Sequence, residues 1–467
     1  MAHRWKVLLV TAAAVFMSFL DVTIVNIAFP DIRADFADES LATLSWVLNG
    51  YNVVFAALLV PAGRIADLVG RRKVFLWSLV AFALASALCA AAPSGEALIA
   101  ARVLQAVAGA ALVPTSLALL LPEFPLRQRA TATAIWGATG AVAAATGPSL
   151  GGLLVDAAGW RWVFLVNLPF ALIALVYGRR LLRETRDPGA TRLPDLAGAA
   201  LLALSIGLLA LGLVRSEDWG WGSVPVLGCL AGAAVGLALF VARSRTHPAP
   251  VVELALFRVR SFAVANAAML LYSAAFYALL LANVLFLTGV WGYTVLEAGF
   301  AVTPGPLLAA IAAGPAGALC DRFGQRVIAV PGMLLFAAGT ALLALRTGAE
   351  PAYVSEVLPG MVLTGIGVGM TFASLGSASV AELPPARFAT GSAISGCVRQ
   401  VGAVLGIATL VAVLEAPAGG DPVAPFHEAW ALAALATLAS AAIALGLGRV
   451  VARDPEAPAA AVPAGAP

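Results

Sequence analysis

The sequence predicts an all-α polytopic membrane protein of fourteen transmembrane helices: two six-helix bundles with two helices inserted between them. Three observations lead there. First, the 467 residues are 61% hydrophobic and 11% charged, with a mean hydropathy of +0.95; soluble domains carry about 25% charged residues. Second, apolar runs of the roughly 20 residues that cross a bilayer recur along the chain. Third, a short basic loop at 63–73 (GRIADLVGRRK) has a weaker copy at 317–326 (GALCDRFGQR). The copies share Gly-x-x-x-Asp-x-x-Gly-x-Arg, pairing Gly63 with Gly317, Asp67 with Asp321, Gly70 with Gly324 and Arg72 with Arg326. A loop repeated after the second helix of each half marks internal duplication.

The runs place helices near 7–29, 44–62, 74–92, 97–121, 130–155, 161–182, 196–214, 224–242, 262–289, 298–319, 327–345, 353–376, 389–414 and 428–448. The expected division is a first bundle over 1–183, a linker with the two extra helices over 184–254, a second bundle over 255–450, and a disordered cytoplasmic tail over 451–467. His3, Arg4 and Lys6 precede a first run that is too long for a signal-peptide core, so it is read as a retained helix. The charges test this count. Of the 28 Lys and Arg, Arg102 and Arg399 fall within helices. Four (Arg33, Arg161, Arg215 and Arg346) fall in alternate loops, and the remaining 22 all lie on the other side. Basic loops stay cytoplasmic, so both termini are expected inside a cell membrane.

Other classes fit poorly. The cysteines (Cys89, Cys229, Cys320 and Cys397) lie in or beside apolar runs, without a C-x-x-C metal pattern. The only lysines, Lys6 and Lys73, follow no Gly-rich phosphate loop, which argues against a nucleotide-driven pump. His3, His247 and His427 lie outside the helix cores, and no nucleophile elbow occurs, which argues against an enzyme. No nucleic-acid partner is expected.

Within the 63–73 loop, Gly63 and Gly70 permit a tight turn. Asp67 is placed to accept from a helix N-terminus or to pair with Arg71 or Arg72; Arg322 follows Asp321 in the second copy. The loop is either a topogenic anchor or a conformational switch. Asp21 is the only acid placed inside a predicted helix, roughly 21 Å along the axis from Val7. An ionised carboxylate there is costly and marks a functional candidate; the alternative is a structural acid satisfied by Thr23 or a helix end. Arg102 falls near the same depth and needs a partner. It either pairs with Asp21, directly or through water and with Gln105 one turn on, or snorkels to the interface. Gly147, Pro148, Gly151 and Gly152 form a small-residue face for close helix packing, with Pro304 to Gly317 of the tenth helix as the expected opposing face. Candidates for a substrate cavity are Asn26, Trp46, Asn49, Tyr51, Asn52, Asn266, Tyr272, Tyr277, Asn283, Arg399 and Gln400. No carboxylate is expected within the tenth or thirteenth helix.

Several stretches together resemble one family. They are the 63–73 loop, 20–30 (LDVTIVNIAFP), 102–109 (RVLQAVAG), 147–152 (GPSLGG), 160–169 (WRWVFLVNLP), 256–258 (LFR) and 398–402 (VRQVG). The chain resembles the major facilitator superfamily, and within it the fourteen-helix drug:proton antiporters of the EmrB/QacA type. The resemblance implies a secondary exporter that alternates access and is driven by a proton gradient without a cofactor. It implies a lipophilic small-molecule substrate, a monomer in the bilayer, proton coupling at Asp21 and Arg102, a state-holding role for the 63–73 loop, and an antiporter association for the 147–152 motif. A dedicated proton-coupled metabolite exporter or importer of the same superfamily is the alternative.

Cysteine labelling from either side of sealed vesicles checks the topology. A cysteine at Arg186 should react only with reagent applied from the cytoplasmic face; reaction from the external face would contradict the fourteen-helix alternation.

Overall fold

The computed structural model describes residues 2–187, 192–384, 387–416 and 420–448. Fourteen helices among them are long and apolar enough to span a bilayer. They are α1 His3–Asp35, α2 Leu41–Val69, α3 Arg71–Ala90, α4 Gly95–Glu123, α5 Thr131–Ala158, α6 Trp162–Leu181, α7 Leu196–Val214, α8 Val224–Thr246, α9 Arg260–Gly289, α10 Val295–Phe323, α11 Gln325–Arg346, α12 Leu358–Ala381, α13 Phe388–Glu415 and α14 Ala424–Ala444. The expected tail at 451–467 lies outside the described residues.

Without water, backbone groups must be satisfied within each span, which helices do. The apolar runs therefore dictate the elements, while polar groups set their ends. Ser94 caps α4 through the Ala97 N–H at 3.2 Å, and Thr294 and Glu297 form a capping box at the start of α10. Such caps satisfy otherwise unpaired amides of a first turn.

The helices run past the apolar windows, which corrects two expectations. α1 extends to Asp35 and so includes Asp31 and Asp35, while Asp67 lies in α2 and Asp156 in α5. Asp21 is thus not the only helical acid, although it is completely buried. α10 contains Glu297 and Asp321, and α13 ends at Glu415, so both helices carry carboxylates, all at their ends. The predicted start of the twelfth helix also shifts. Residues Tyr353–Glu356 form a separate turn before α12, because Pro359 belongs in a first turn and cannot supply an interior N–H.

α1 packs on α4, α5 and α6, and α4 packs on α2 and α3. α9 packs on α12, α13 and α14, while α12 also packs on α10 and α11. These two groups meet along α2 with α13, α5 with α10 and α1 with α9. α7 covers the seam between α2 and α13, and α8 packs on α7.

Small residues set the closest crossings. A Cβ on Gly151 would meet Ile24 Cγ1 at 2.8 Å, and one on Gly147 would collide with Thr23. On the adjoining face, a Cβ on Gly152 would stand 2.9 Å from Val295 O, and one on Gly299 would stand 2.6 Å from Pro148 O. The 147–152 motif is therefore shared between α1 and the start of α10. The stretch expected to oppose it, Pro304 to Gly317, lies on a helix that also packs on α5, but its glycines are not at that crossing: Gly305 abuts Gly365 of α12, and a Cβ on Gly314 or Gly317 would meet nothing within 4 Å.

Candidate functional site

At the centre of the first helix group, four helices bring their polar side chains to one point. Asp21 of α1 accepts from Arg102 Nη1 at 2.6 Å, from Gln105 Nε2 at 2.8 Å and from Asn167 Nδ2 at 3.0 Å. Gln105 returns an acceptor to Arg102 Nη1 at 2.5 Å and donates to Ser86 Oγ of α3 at 2.8 Å. Arg102 Nε donates to Val47 O at 3.2 Å, and the guanidinium lies 4.1 Å from the Tyr51 ring centroid. Asp21, Gln105, Ser86 and Asn167 are fully buried, and Arg102 is 1% exposed. A cation over an aromatic face gains electrostatically as well as by packing.

The spacing in α4 explains the geometry. Positions i, i+3 and i+7 share a helix face, so Arg102, Gln105 and Gly109 all look inward. Arg102 and Gln105 hold Asp21; Gly109 makes room, because a Cβ there would stand 2.9 Å from Tyr51 Oη. Asp21 and Arg102 meet directly. Asn167, Ser86 and the Tyr51 ring complete the group and were not assigned to it from sequence. Asn167 lies within the 160–169 stretch, but nothing in the spacing reveals that it reaches Asp21.

One face of this group borders a small internal cavity of about 10 Å³, lined by Val22, Asn26, Leu48, Tyr51, Asn52, Arg102, Tyr277 and Ile407. Tyr277 donates to Gln400 Oε1 at 3.4 Å, and Gln400 Nε2 stands 3.5 Å from Asn52 Oδ1. The cavity thus joins residues of α1, α2, α4, α9 and α13, with room for about one water. Asn26, Asn52, Tyr277 and Gln400 converge as candidates.

Other candidates are placed elsewhere. Tyr272 packs between Phe336 and Phe372. Asn283 accepts from Trp430 Nε1 at 3.0 Å, and Asn266 donates to Phe262 O at 2.8 Å. These three satisfy helix packing in the second group. Trp46 packs against the main core. Asn49 is fully buried, with neither amide atom hydrogen-bonded among the described residues. Arg399 is half-buried, with its guanidinium 5.8 Å from the Phe19 ring.

The 63–73 stretch, expected as a loop, is helical except at Gly70, and it forms a second polar centre. Gly70 has φ of 131° and precedes α3, in the region that favours glycine. Asp67 Oδ1 accepts from Arg71 Nε at 2.7 Å, and the Arg71 N–H donates to Thr185 O at 3.0 Å. Asp67 therefore pairs with Arg71, and the acid at the helix N-terminus is Glu184. Its carboxylate accepts from the Arg72 and Lys73 N–H groups, each at 3.1 Å, where the helix dipole favours negative charge. A Cβ on Gly70 would stand 2.7 Å from Glu184 Oε1, so Gly70 is required twice over. Arg72 Nη2 donates to Arg179 O at 2.8 Å; Gly63, expected in a tight turn, instead lies within helical α2, where a Cβ would make only an ordinary 3.4 Å contact with Pro114.

The weaker copy keeps the turn, with Gly324 at φ of 89°, but not the contacts. Asp321 and Arg322 are exposed, Arg322 lies 5.1 Å from the Phe323 ring, and neither has an ion-pair partner among the described residues. Nearby, Glu253 joins the halves by accepting from Arg64 at 3.0 Å and from Arg387. Sequence spacing did not indicate this bridge, since its members lie far apart in the chain.

Fourteen candidate membrane spans around a buried charged centre define a multi-pass membrane protein. A family model described as Major Facilitator Superfamily matches residues 11–406 and 265–467. The chain is 36% identical over 410 residues to the multidrug resistance protein Stp of Mycobacterium tuberculosis, covering 88% of this chain and 75% of that one. It is 35% identical over 434 residues to the tetracenomycin C resistance and export protein of Streptomyces glaucescens, covering 92% and 79%. Among solved structures, a bacterial homologue of the human lysosomal transporter Spinster superposes with a TM-score of 0.64 at 18% identity, covering 95% of each chain. This chain belongs to the Major Facilitator Superfamily.

Replacing Glu184 with Gln removes the charge that caps α3 while keeping the side chain's size. Such a cap contributes about 0.5–2 kcal/mol. Glu184→Gln and Asp67→Asn should therefore each lower transport rate several-fold at unchanged membrane abundance. Rate per molecule in vesicles, normalised to immunoblot signal, measures this; normal rates in both variants would leave the loop with a topogenic role only.

Proposed function

We propose that this chain is a proton-coupled exporter of small lipophilic organic molecules, working as a monomer by alternating access, with both termini in the cytoplasm. The observation that carries the reading is the buried Asp21–Arg102–Gln105–Asn167 group beside the cavity shared by both helix groups. A carboxylate held this deep is costly unless paired, and it is the kind of group a proton carrier needs. The resistance and export proteins among its relatives support efflux as the direction.

The chemistry follows from the contacts. Ionised Asp21 holds the guanidinium of Arg102. Protonation at a carboxyl oxygen removes the charge that Arg102 pairs with and turns one acceptor into a donor. Arg102 then loses its only ion-pair partner among the described residues, while its contacts to Val47 O and the Tyr51 ring remain available. Because Tyr51 and Arg102 both line the cavity, a shift of the guanidinium changes the cavity wall. Proton occupancy and substrate occupancy are thereby linked through one side chain, and linkage is reciprocal. The cavity has room for about one water, so a drug-sized molecule enters only when the two groups move apart. The proton gradient supplies the energy, and no bound cofactor enters the scheme.

Asp21→Asn tests this in proteoliposomes under an imposed pH gradient. The variant keeps an acceptor but leaves Arg102 buried without an anion, a change of about 3–5 kcal/mol in comparable buried pairs. Gradient-driven accumulation should vanish, while Asp21→Glu should keep part of it. Wild-type accumulation by Asp21→Asn would overturn the assignment; thermal melting in detergent shows separately whether the fold survives.

A further inference from the structure

We infer that the substrate site selects anionic aromatic molecules, with Arg399 as the group that recognises their charge; this rests on the export reading above. Three observations carry it. Arg399 is the charged side chain of mid-α13, half-buried and far from either end of the helix. Among the described residues no carboxylate lies within ion-pair distance of it, and its buried Nε has no hydrogen-bond partner. An intramembrane arginine without a protein anion is costly, and an incoming anion would offset that cost.

The second observation is position. Phe19, under the guanidinium at 5.8 Å, lies three and seven residues before Val22 and Asn26, both of which line the cavity. Positions at i, i+3 and i+7 share a helix face, so Arg399 stands about one turn along α1 from the cavity. On its own helix it adjoins Gln400, which contacts both Tyr277 and Asn52. The cation therefore borders the place where the two helix groups meet.

The third observation is the balance of charge. Asp21 already accepts from Arg102, Gln105 and Asn167, which leaves the Asp21–Arg102 pair neutral and Arg399 as the uncompensated charge nearby. The remaining lining is amide, phenol and aliphatic, with Tyr51 Oη and Asn26 Oδ1 buried and unpartnered. A flat ring with an ionised acid group fits these features: the ring against Phe19, the acid on Arg399, and polar substituents on Tyr51 Oη and Asn26.

The test uses naphthalene probes of equal size carrying a sulfonate, a carboxamide or a trimethylammonium group. Binding to purified protein and efflux from proteoliposomes are measured for wild type, Arg399→Gln, Arg399→Lys and Gln400→Glu. Wild type should favour the sulfonate over the ammonium by about tenfold, the scale of one charged contact. Arg399→Gln should bring that ratio near one, Arg399→Lys should keep most of it, and the isosteric Gln400→Glu should reverse it. Should Arg399→Gln fail to fold, Gln400→Glu carries the same test. Arg399-dependent sulfonate binding without efflux of any probe would overturn the export reading and leave the anion site standing. A wild type that prefers the ammonium, or an unchanged ratio in both Arg399→Gln and Gln400→Glu, would overturn the anion site.

Discussion

A carboxylate and a guanidinium buried together in an apolar bundle constrain much of the structure. Neither Asp21 nor Arg102 is tolerable alone at that depth, because the cost of an unpaired buried ion exceeds any gain from packing. Their pairing fixes the crossing of α1 over α4. It brings in α3 through Ser86 and α6 through Asn167, since the remaining lone pairs and protons also need partners. Tyr51 then has one place to lie, against the guanidinium with its hydroxyl over Gly109. The same constraint makes the group responsive: one added proton alters the partner requirements of four helices.

The remaining architecture lets the two helix groups touch without fusing. Where α5 meets α1 and α10, glycine removes the side chains that would hold the backbones apart. Near the 63–73 loop, Glu253 ties Arg64 to Arg387 across the halves. At the opposite end, Glu415 of α13 accepts from the Ala42 N–H of α2 at 2.9 Å. These two bridges are polar, the kind that exchange partners when packed elements move between discrete arrangements, and they stand beside the apolar packing of α2 on α13. Glu184 fastens α3 to the chain after α6 through backbone donors, which stiffens one group as a unit.

The sequence shows the fold clearly because each span must be apolar over a length set by the bilayer, and each basic loop must stay on one side. It shows the ends less well, because helices continue through acids such as Asp35 and Asp321 once the backbone has left the apolar layer. Asp21, Arg102 and Gln105 are legible because a charge inside an apolar run demands a partner at the same depth. Asn167 and Ser86 are not, since neutral polar residues occur in spans for many packing reasons. Glu184 and Glu253 are hidden for another reason: each acts on groups far away in sequence, and a lone acid in a charged linker carries no periodic signal. The split between Asn52 or Tyr277 at the cavity and Tyr272 or Asn283 in the packing is likewise set by helix rotation, which hydropathy leaves undetermined.

The most direct measurement is the protonation state of Asp21 itself, by infrared difference spectroscopy of the purified protein as substrate is added at fixed pH. The account predicts a carboxyl band that changes intensity with substrate and is absent from Asp21→Asn, accompanied by proton exchange with the buffer. A carboxylate that stays ionised through substrate binding, or a band that persists unchanged in Asp21→Asn, would contradict it.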